Sequence, residues 1–257
     1  MRFDPLEAEV LDRAVGLVVS ACKAVFGSSL VCVTLKGSAV KGDFIRGYSD
    51  LDFHVFLKPE VMDGENVPKA QHAVQFQRAF GHVNPEDFEV SQFQICFINS
   101  EKYPEDWAPP VKGTYRILWG SLPETAEELD DGEYIRFAER HLSLSSIDYS
   151  RRSNVARFVD KPNTRIAYNV RLVGATLKNY MYSISILLTK EPKAAFRLGL
   201  DKMIVLVEEG IESKGHFRNF FENVSDWRKI GQHPEYARET FNEGIQALDE
   251  IASWRRE

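Results

Sequence analysis

The period of the hydrophobic pattern changes once along this chain, near residues 121–125. Before that point, short β-branched and alternating segments predict strands that are separated by helical segments. After it, apolar residues recur only at helical spacing. We therefore predict an α+β fold, in which a small mixed-sheet domain at residues 1–122 is followed by an all-helical bundle domain at residues 123–257.

The same pattern predicts the individual elements. Strands are expected at residues 30–35, 50–57, 88–98 and 115–119. Helices are expected at residues 4–26 and 68–80, and Asp4-Pro5 should cap the first of them. Beyond the boundary, the helical patterns cover residues 125–147, 162–188, 192–210, 217–230 and 234–257.

The composition of the 257 residues, 44% hydrophobic and 27% charged, is that of an ordinary folded protein. No run approaches the roughly 18 apolar residues that span a bilayer, and the N-terminus lacks the pattern of a secretory signal. We therefore expect a cytoplasmic protein without a membrane partner. The net charge of −6 argues against a nucleic-acid partner, because phosphate binding usually needs a basic surface. The three cysteines, Cys22, Cys32 and Cys96, stand in apolar segments and are expected to be buried, reduced thiols.

Asp50 and Asp52 carry the most informative chemistry in the sequence. Side chains two residues apart on a strand point to the same side, so both carboxylates should leave the sheet together while Leu51 and Phe53 anchor the strand. Two carboxylates this close resist joint ionisation unless a cation lies between them. Mg²⁺ prefers carboxylate and phosphate oxygens. The pair therefore predicts a magnesium site, and two ions about 3.5–4 Å apart are typical of phosphoryl transfer.

Gly37-Ser38 follows the first predicted strand and suits a phosphate group. Glycine lets the backbone approach a phosphate closely, and a serine after a strand can cap the next helix, whose free N–H groups form an anion site. The predicted nucleotide-binding residues are Gly37, Ser38, Lys41, Arg46 and Ser49, with Lys36 as a further cation. The alternative is a solvated loop with a Ser-Asp turn at the start of a strand, in which the lysines are ordinary surface residues.

An apolar strand, Gly-Ser, a loop and Asp-x-Asp in a second apolar strand together resemble the motif of the polymerase-beta nucleotidyltransferase superfamily. Here the motif stands as Leu35-Lys36-Gly37-Ser38 and Ser49-Asp50-Leu51-Asp52-Phe53, and the resemblance covers roughly residues 30–100. It implies that Asp50 and Asp52 bind a catalytic metal and that a third acidic residue lies on a neighbouring strand. Glu89, in the third predicted strand, is the favoured third ligand and catalytic residue, and Asp87 is the competitor.

The layout of a compact α/β domain before a helical half is similar to that of antibiotic nucleotidyltransferases, which modify aminoglycosides or lincosamides. This similarity implies an enzyme that transfers a nucleoside monophosphate, AMP from ATP, to a hydroxyl group of a small acceptor and releases pyrophosphate. The helical half would help to bind the acceptor. Its general base would be a carboxylate that the sequence does not rank, among them Asp148, Asp201, Glu208 and Glu209.

Several alternatives stay open at the level of sequence. A non-catalytic or antitoxin-like module could keep the fold and act through a partner, and transfer to protein or RNA would differ only in the acceptor. The sequence also leaves open whether the chain forms a homodimer. His54 shares the face of the aspartates and could contact metal or phosphate, although a hydrogen-bonded strand histidine is favoured. The loop at residues 103–110 could form a substrate-facing wall with Trp107 or pack as an ordinary connection.

Overall fold

A computed structural model describes residues 3–102, 104, 107–159 and 162–256 of the chain. The chain forms two compact units, one from Asp4–Leu129 and one built around Asp130–Glu257, called here the sheet unit and the helical unit. The elements confirm the predicted α+β class and the small mixed sheet. Within the described ranges, no helix is both long and apolar enough to cross a membrane.

The sheet unit contains a four-stranded sheet in the order β3-β2-β1-β4. The strands are β1 (Leu30–Lys36), β2 (Leu51–Leu57), β3 (Phe93–Asn99) and β4 (Tyr115–Gly120). β1 pairs antiparallel with both β2 and β4. β2 and β3 run parallel, which requires a crossover connection between them. The helices of this unit are α1 (Ala8–Phe26), α2 (Ser38–Lys41) and α3 (Ala70–Phe80).

One face of the sheet is apolar along its length. Leu51, Phe53 and Val55 of β2 are fully buried, and they share a core with residues of α1 and α3. They lie on one side because side chains alternate along a strand. This burial fixes the register of β2, since a shift by one residue would move Asp52 and His54 into the core.

The opposite face of the sheet changes character along the strands. At one end, Cys32, Phe56 and Ile98 form a small apolar cluster with Ala126 and the partly buried Trp107. This cluster holds the segments around Trp107 and Ala126 on the sheet. At the other end of the same face, where β1 ends and β2 begins, the side chains are polar.

The predicted helix cap at Asp4-Pro5 is wrong. α1 begins at Ala8, and Glu7 occupies the N-cap position. The Asp4 carboxylate instead forms an ion pair with Arg46 at 3.2 Å, and the Asp4 N–H donates to the Phe44 carbonyl oxygen. A contact with a distant loop has therefore replaced the local cap that the sequence suggested.

The third strand begins later than predicted, at Phe93 rather than at residue 88. Pro85–Phe88 form a short 3-10 turn, and Glu89 ends it with a left-handed φ of 54°. This conformation turns the chain away from an extended path. Residues 87 and 89 therefore come before the sheet and do not lie in it.

The described part of the helical unit contains helices and no strand. The helices are α4 (Asp131–His141), α5 (Leu144–Val159), α6 (Ile166–Thr189), α7 (Pro192–Arg197), α8 (Leu200–Gly210), α9 (His216–Val224), α10 (Trp227–Gln232) and α11 (Pro234–Trp254). Three predicted helices are broken. In the predicted helix at 125–147, α4 begins only after Asp130, whose side chain accepts from the Glu133 N–H at 2.9 Å, and α4 ends at His141 before α5 begins. Extended residues at Leu198 and Gly199 separate α7 from α8, and the predicted helix at 217–230 is divided into α9 and α10.

Candidate functional site

Strand pairing arranges the polar end of the second face in rows. Lys36 of β1 lies opposite Asp52 of β2, and Asp52 lies beside Gln94 of β3. The next row along the strands consists of Thr34, His54 and Cys96. Residues paired directly across strands project from the same face of a sheet. One acidic, one cationic and one amide side chain are therefore brought together in the first row.

Asp50 and Asp52 flank the start of β2. The strand begins at Leu51, so Asp50 is the last residue of the preceding loop and Asp52 is the second residue of the strand. Both aspartates are partly exposed, whereas Leu51 between them is fully buried. Buried neighbours thus hold the strand in place while the two carboxylates remain accessible to a ligand.

Gly37 brings the two halves of the sequence motif into contact. Its backbone has φ 79° and ψ −151°, a region that is almost restricted to glycine. A Cβ atom at this position would lie 2.6 Å from Asp52 Oδ2. The backbone at Gly37 therefore passes close to the carboxylate of Asp52. Its conformation favours glycine, and a side chain there would force that carboxylate to move.

Ser38 begins α2, a single helical turn, and its side chain is buried with 5% exposure. The N–H groups of Val40 and Lys41 donate to the Gly37 carbonyl oxygen at 3.1 and 3.0 Å. The first N–H groups of such a turn have no acceptor within the turn itself. A helical turn therefore follows β1 as predicted, but Gly37 and not Ser38 occupies the N-cap position, and no side chain caps the turn.

Lys36 supplies positive charge to the polar face. Burial, and then the nearby charge of Lys36, lower the pKa of His54 well below 6.5. Burial also raises the pKa of Cys96, and Lys36 opposes that effect. Lys36 projects from the face that carries the aspartates, because it pairs with Asp52 across the strands. Lys41, the other lysine of the predicted phosphate site, ends α2.

Arg46 and Ser49 hold the loop between α2 and β2 in shape. Arg46 forms ion pairs with the carboxylates of Asp4, Glu7 and Glu89. The Ile45 N–H donates to Ser49 Oγ at 3.0 Å, and the Ser49 N–H donates to the Ile45 carbonyl oxygen at 2.8 Å. Both residues were predicted to bind nucleotide, and both have structural partners.

The two candidates for a third carboxylate lie apart from the aspartate pair. Glu89 is half-exposed, at 52%, and pairs with Arg46. The carbonyl oxygen of Asp87 accepts a hydrogen bond from Arg13 at 3.0 Å. Among the residues that the structure describes, no three His, Cys, Asp or Glu side chains form a group that could hold a metal ion. Glu89 and Asp87 therefore do not complete a three-carboxylate site with Asp50 and Asp52.

Two glutamines, which sequence reasoning missed, occupy the position beside the aspartates. Gln94, with its amide NH₂ group turned toward the carboxylates, donates to Asp50 Oδ2 at 3.0 Å and to Asp52 Oδ1 at 3.2 Å. The Gln92 amide lies 3.4 Å from Asp50 Oδ2. The alternation of Gln92, Gln94 and Cys96 with apolar residues was a usable signal. The prediction placed the start of the third strand five residues too early, at residue 88, and therefore favoured Glu89 over the glutamines.

His54 lies in the second row, where it is 2% exposed. Neither ring nitrogen has a hydrogen-bond partner among the described residues, and the same holds for Thr34 Oγ1. The expected hydrogen bond of His54 is therefore not found among the described residues. Trp107 covers the ring at a centroid distance of 4.3 Å. Of the predicted substrate-facing wall, Tyr103 lies outside the described residues and Trp107 packs on the sheet.

Among the four candidate general bases of the helical unit, Asp148 and Glu208 form ion pairs. Asp148 lies 3.1 Å from Arg151 and 3.6 Å from Arg256, at the edge of a cavity of about 940 Å³ between α5 and α11. Glu208 is largely buried, at 9% exposure, and pairs with Arg218 at 3.0 Å. These contacts stabilise the helical unit and do not single out a catalytic base.

The polar end of the sheet brings together side chains of both charges and a glycine turn. Two accessible carboxylates stand beside a lysine and two amides, next to a backbone turn that only glycine can make. Such a set can bind a hard divalent cation together with phosphate oxygens. Comparison of the chain with protein-family models and with curated proteins finds no match.

Proposed function

We propose that this protein is a metal-dependent nucleotidyltransferase that resembles the polymerase-beta superfamily. It moves a nucleoside monophosphate, AMP from ATP, to a hydroxyl group of a small acceptor and releases pyrophosphate. The observation that carries the proposal is the contact of the Gly37 backbone with the Asp52 carboxylate, 2.6 Å from where a Cβ atom would stand. Gly-Ser and Asp-x-Asp are fifteen residues apart at their outer ends, and the fold joins them at one point.

Asp50 and Asp52 would hold Mg²⁺. Their donor set fits the ion, because carboxylate oxygens with a neighbouring amide are the hard oxygen ligands that Mg²⁺ prefers. When bound, the ion neutralises charge on the transferred phosphate and orients its oxygens. The predicted complement of two ions applies to the complex with nucleotide, in which the phosphates supply further ligands.

The nucleotide phosphates would lie against Gly37 and Ser38. The absence of a side chain at residue 37 lets the phosphate approach the backbone, and the first N–H groups of α2 provide donors. Lys36 and Lys41 add positive charge on this side of the sheet. Arg46 and Ser49 then act indirectly, because they hold the loop between the two halves of the motif.

The acceptor is proposed from layout alone. The helical residues 123–257 would form a domain that binds a small hydroxyl-bearing molecule of the aminoglycoside or lincosamide kind. A screen of such acceptors with labelled ATP would identify the class. Labelled product with one acceptor and with no other would define the substrate.

Asp50→Asn tests the proposed reaction. The substitution keeps the size of the side chain and removes the charge that binds the cation, so we expect release of pyrophosphate from ATP and acceptor to fall by at least about a thousandfold, as when a main source of transition-state charge stabilisation is removed. Asp12→Asn, on the exposed surface of α1, is the matched control and should keep full activity. Retained turnover in the Asp50 variant, with an unchanged melting temperature, would rule out Asp50 as a metal ligand of the reaction.

The second candidate function is a non-catalytic module that acts through a partner. It is favoured by one observation: the described residues do not bring a third carboxylate to the aspartate pair. Such a module would have no need to bind ATP in a magnesium-dependent way. Binding of nucleotide therefore separates the two functions without any assay of turnover.

A further inference from the structure

The position that faces the aspartate pair across the β2–β3 register is held by Gln94. Parallel pairing sets Asp52 beside Gln94 and Leu51 beside Phe93, so the polar side chain of β3 nearest the carboxylates is an amide. Gln94 is exposed, and its amide group reaches both Asp50 and Asp52. A single side chain thus spans the two carboxylates.

The spacing of these atoms matches that of ligands around a small divalent ion. The end of the Gln94 amide lies 3.0 Å from Asp50 Oδ2 and 3.2 Å from Asp52 Oδ1. Octahedral Mg²⁺ with oxygens at about 2.0–2.1 Å has neighbouring ligand oxygens about 3 Å apart. Without a cation, the NH₂ end of the amide is favoured because it donates to both carboxylates. With a cation between them, rotation of the amide by half a turn would present its oxygen from the same position.

A second, independent observation on the same face also points to a bound group. His54 follows Asp52 by two residues on β2, is 2% exposed, and has two ring nitrogens without a hydrogen-bond partner among the described residues. Thr34 Oγ1, its neighbour in the row, is equally without a partner there. Buried polar atoms are normally matched by protein, ordered water or a ligand. The face therefore continues inward from the aspartates with polar groups that the described residues alone do not satisfy.

We propose that Gln94 is the third protein ligand of the divalent cation, a neutral amide oxygen in the place where a third carboxylate was expected. The proposal rests on the proposed function, because it concerns the same cation. Two carboxylates carry the charge that balances one divalent ion, and Lys36 in the same row disfavours a second. The free protein therefore binds one ion, and further metal arrives only with the nucleotide phosphates.

The test is a titration of the full chain with Mn²⁺, followed by the electron paramagnetic resonance signal of the free ion, in the absence of nucleotide. Wild type should bind one equivalent. Gln94→Ala should weaken binding by about tenfold or more, the usual cost of losing a group that supports a metal site. Gln94→Glu, which has the same shape, should tighten binding by about tenfold or bind a second equivalent, since affinity rises with ligand charge.

Gln75→Ala, on the exposed side of α3, is the matched control and should titrate as wild type. If wild type binds Mn²⁺ and both Gln94 variants bind it within twofold of wild type, Gln94 is not a ligand and this inference fails while the proposed function stands. If wild type binds no Mn²⁺ without nucleotide, this inference fails, and magnesium-dependent ATP binding then decides the proposed function. The Gln94→Glu variant keeps the test decisive should Gln94→Ala not fold.

Discussion

The two faces of the sheet are formed by the same strands but differ in character: one is apolar and buried, and the other is polar at one end. On one face, Leu51, Phe53 and Val55 are fully buried against helices. On the other, Asp52 is partly exposed, and His54 is buried with no hydrogen-bond partner among the described residues. Burial of the first face stabilises the fold, because it removes apolar surface from water. On the second face, each buried polar group without a partner destabilises the fold by about 1–3 kcal/mol.

This difference shows where function is to be sought in the sheet unit. A strand that only needed stability would carry apolar side chains at both ends of the second face. The apolar cluster of Cys32, Phe56 and Ile98 shows that the chain can build such a surface there. The polar end departs from that pattern, and such departures are typical of a site.

Phe53→Ala should give the largest loss in the free energy of unfolding, because it removes a ring from the apolar face. Phe53 is fully buried, and removal of a buried phenylalanine ring typically costs about 3–5 kcal/mol. The matched variant is Ile117→Ala in β4, where 45% of the residue is exposed, and it should cost less than about 1 kcal/mol. Chemical denaturation of both variants measures the contrast. Equal losses would show that the two faces do not differ in packing.

Gly37→Ala should disturb the polar face at a smaller cost in stability. The backbone conformation is unfavourable for alanine by about 1–3 kcal/mol, and the new methyl group would displace the Asp52 carboxylate, 2.6 Å away. We expect Mn²⁺ affinity to fall by about tenfold, as for other disturbed metal sites.

Gly42→Ala is the control for this substitution. Gly42 also has a positive φ, 82°, but a Cβ atom there would meet nothing within 4 Å. It should destabilise the fold while leaving metal affinity unchanged. If both variants lose affinity alike, backbone strain and not contact with Asp52 is responsible.

The smallest expected effect is a difference in thiol reactivity, which compares exposed and buried cysteines of the sheet unit without any substitution. Burial raises the pKa of Cys22 to about 12 and that of Cys32 to about 11, so neither forms the reactive thiolate near neutral pH. The expectation that all three thiols are buried is wrong for Cys96, which is partly exposed in the row next to that of Asp52. We expect a thiol reagent at pH 8 to modify Cys96 first, and Mg²⁺ with ATP to slow the reaction severalfold. Mass spectrometry of the modified peptide would identify the site, and faster reaction at Cys22 or Cys32 would contradict the prediction.

Much of the apolar face and the heart of the motif could be predicted from sequence. The alternation of Leu51, Phe53 and Val55 predicted β2 nearly to its ends, and Gly37 ends β1 as predicted. These succeed because period-two burial and the special backbone of glycine are local properties. They depend on no distant partner.

The proposed third ligand and the contacts of Arg46 could not be predicted in this way. Arg46 pairs with Asp4 and Glu89, each about forty residues distant in sequence, and periodicity does not reveal such partners. Glu89 was favoured because it is charged and near the expected strand. The true start of β3 at Phe93 depends on the 3-10 turn at Pro85–Phe88, and it moves an uncharged Gln94 into the position instead.

The central claim is that the polar face binds a nucleotide together with a divalent cation. Calorimetric titration of ATP into the wild-type protein, once with Mg²⁺ and once with a chelator in its place, tests it most directly. We predict saturable binding with Mg²⁺ that is lost in the chelator and in Asp52→Asn. The absence of ATP binding in the presence of Mg²⁺, or binding that is unaffected by the chelator and by the substitution, would contradict the claim.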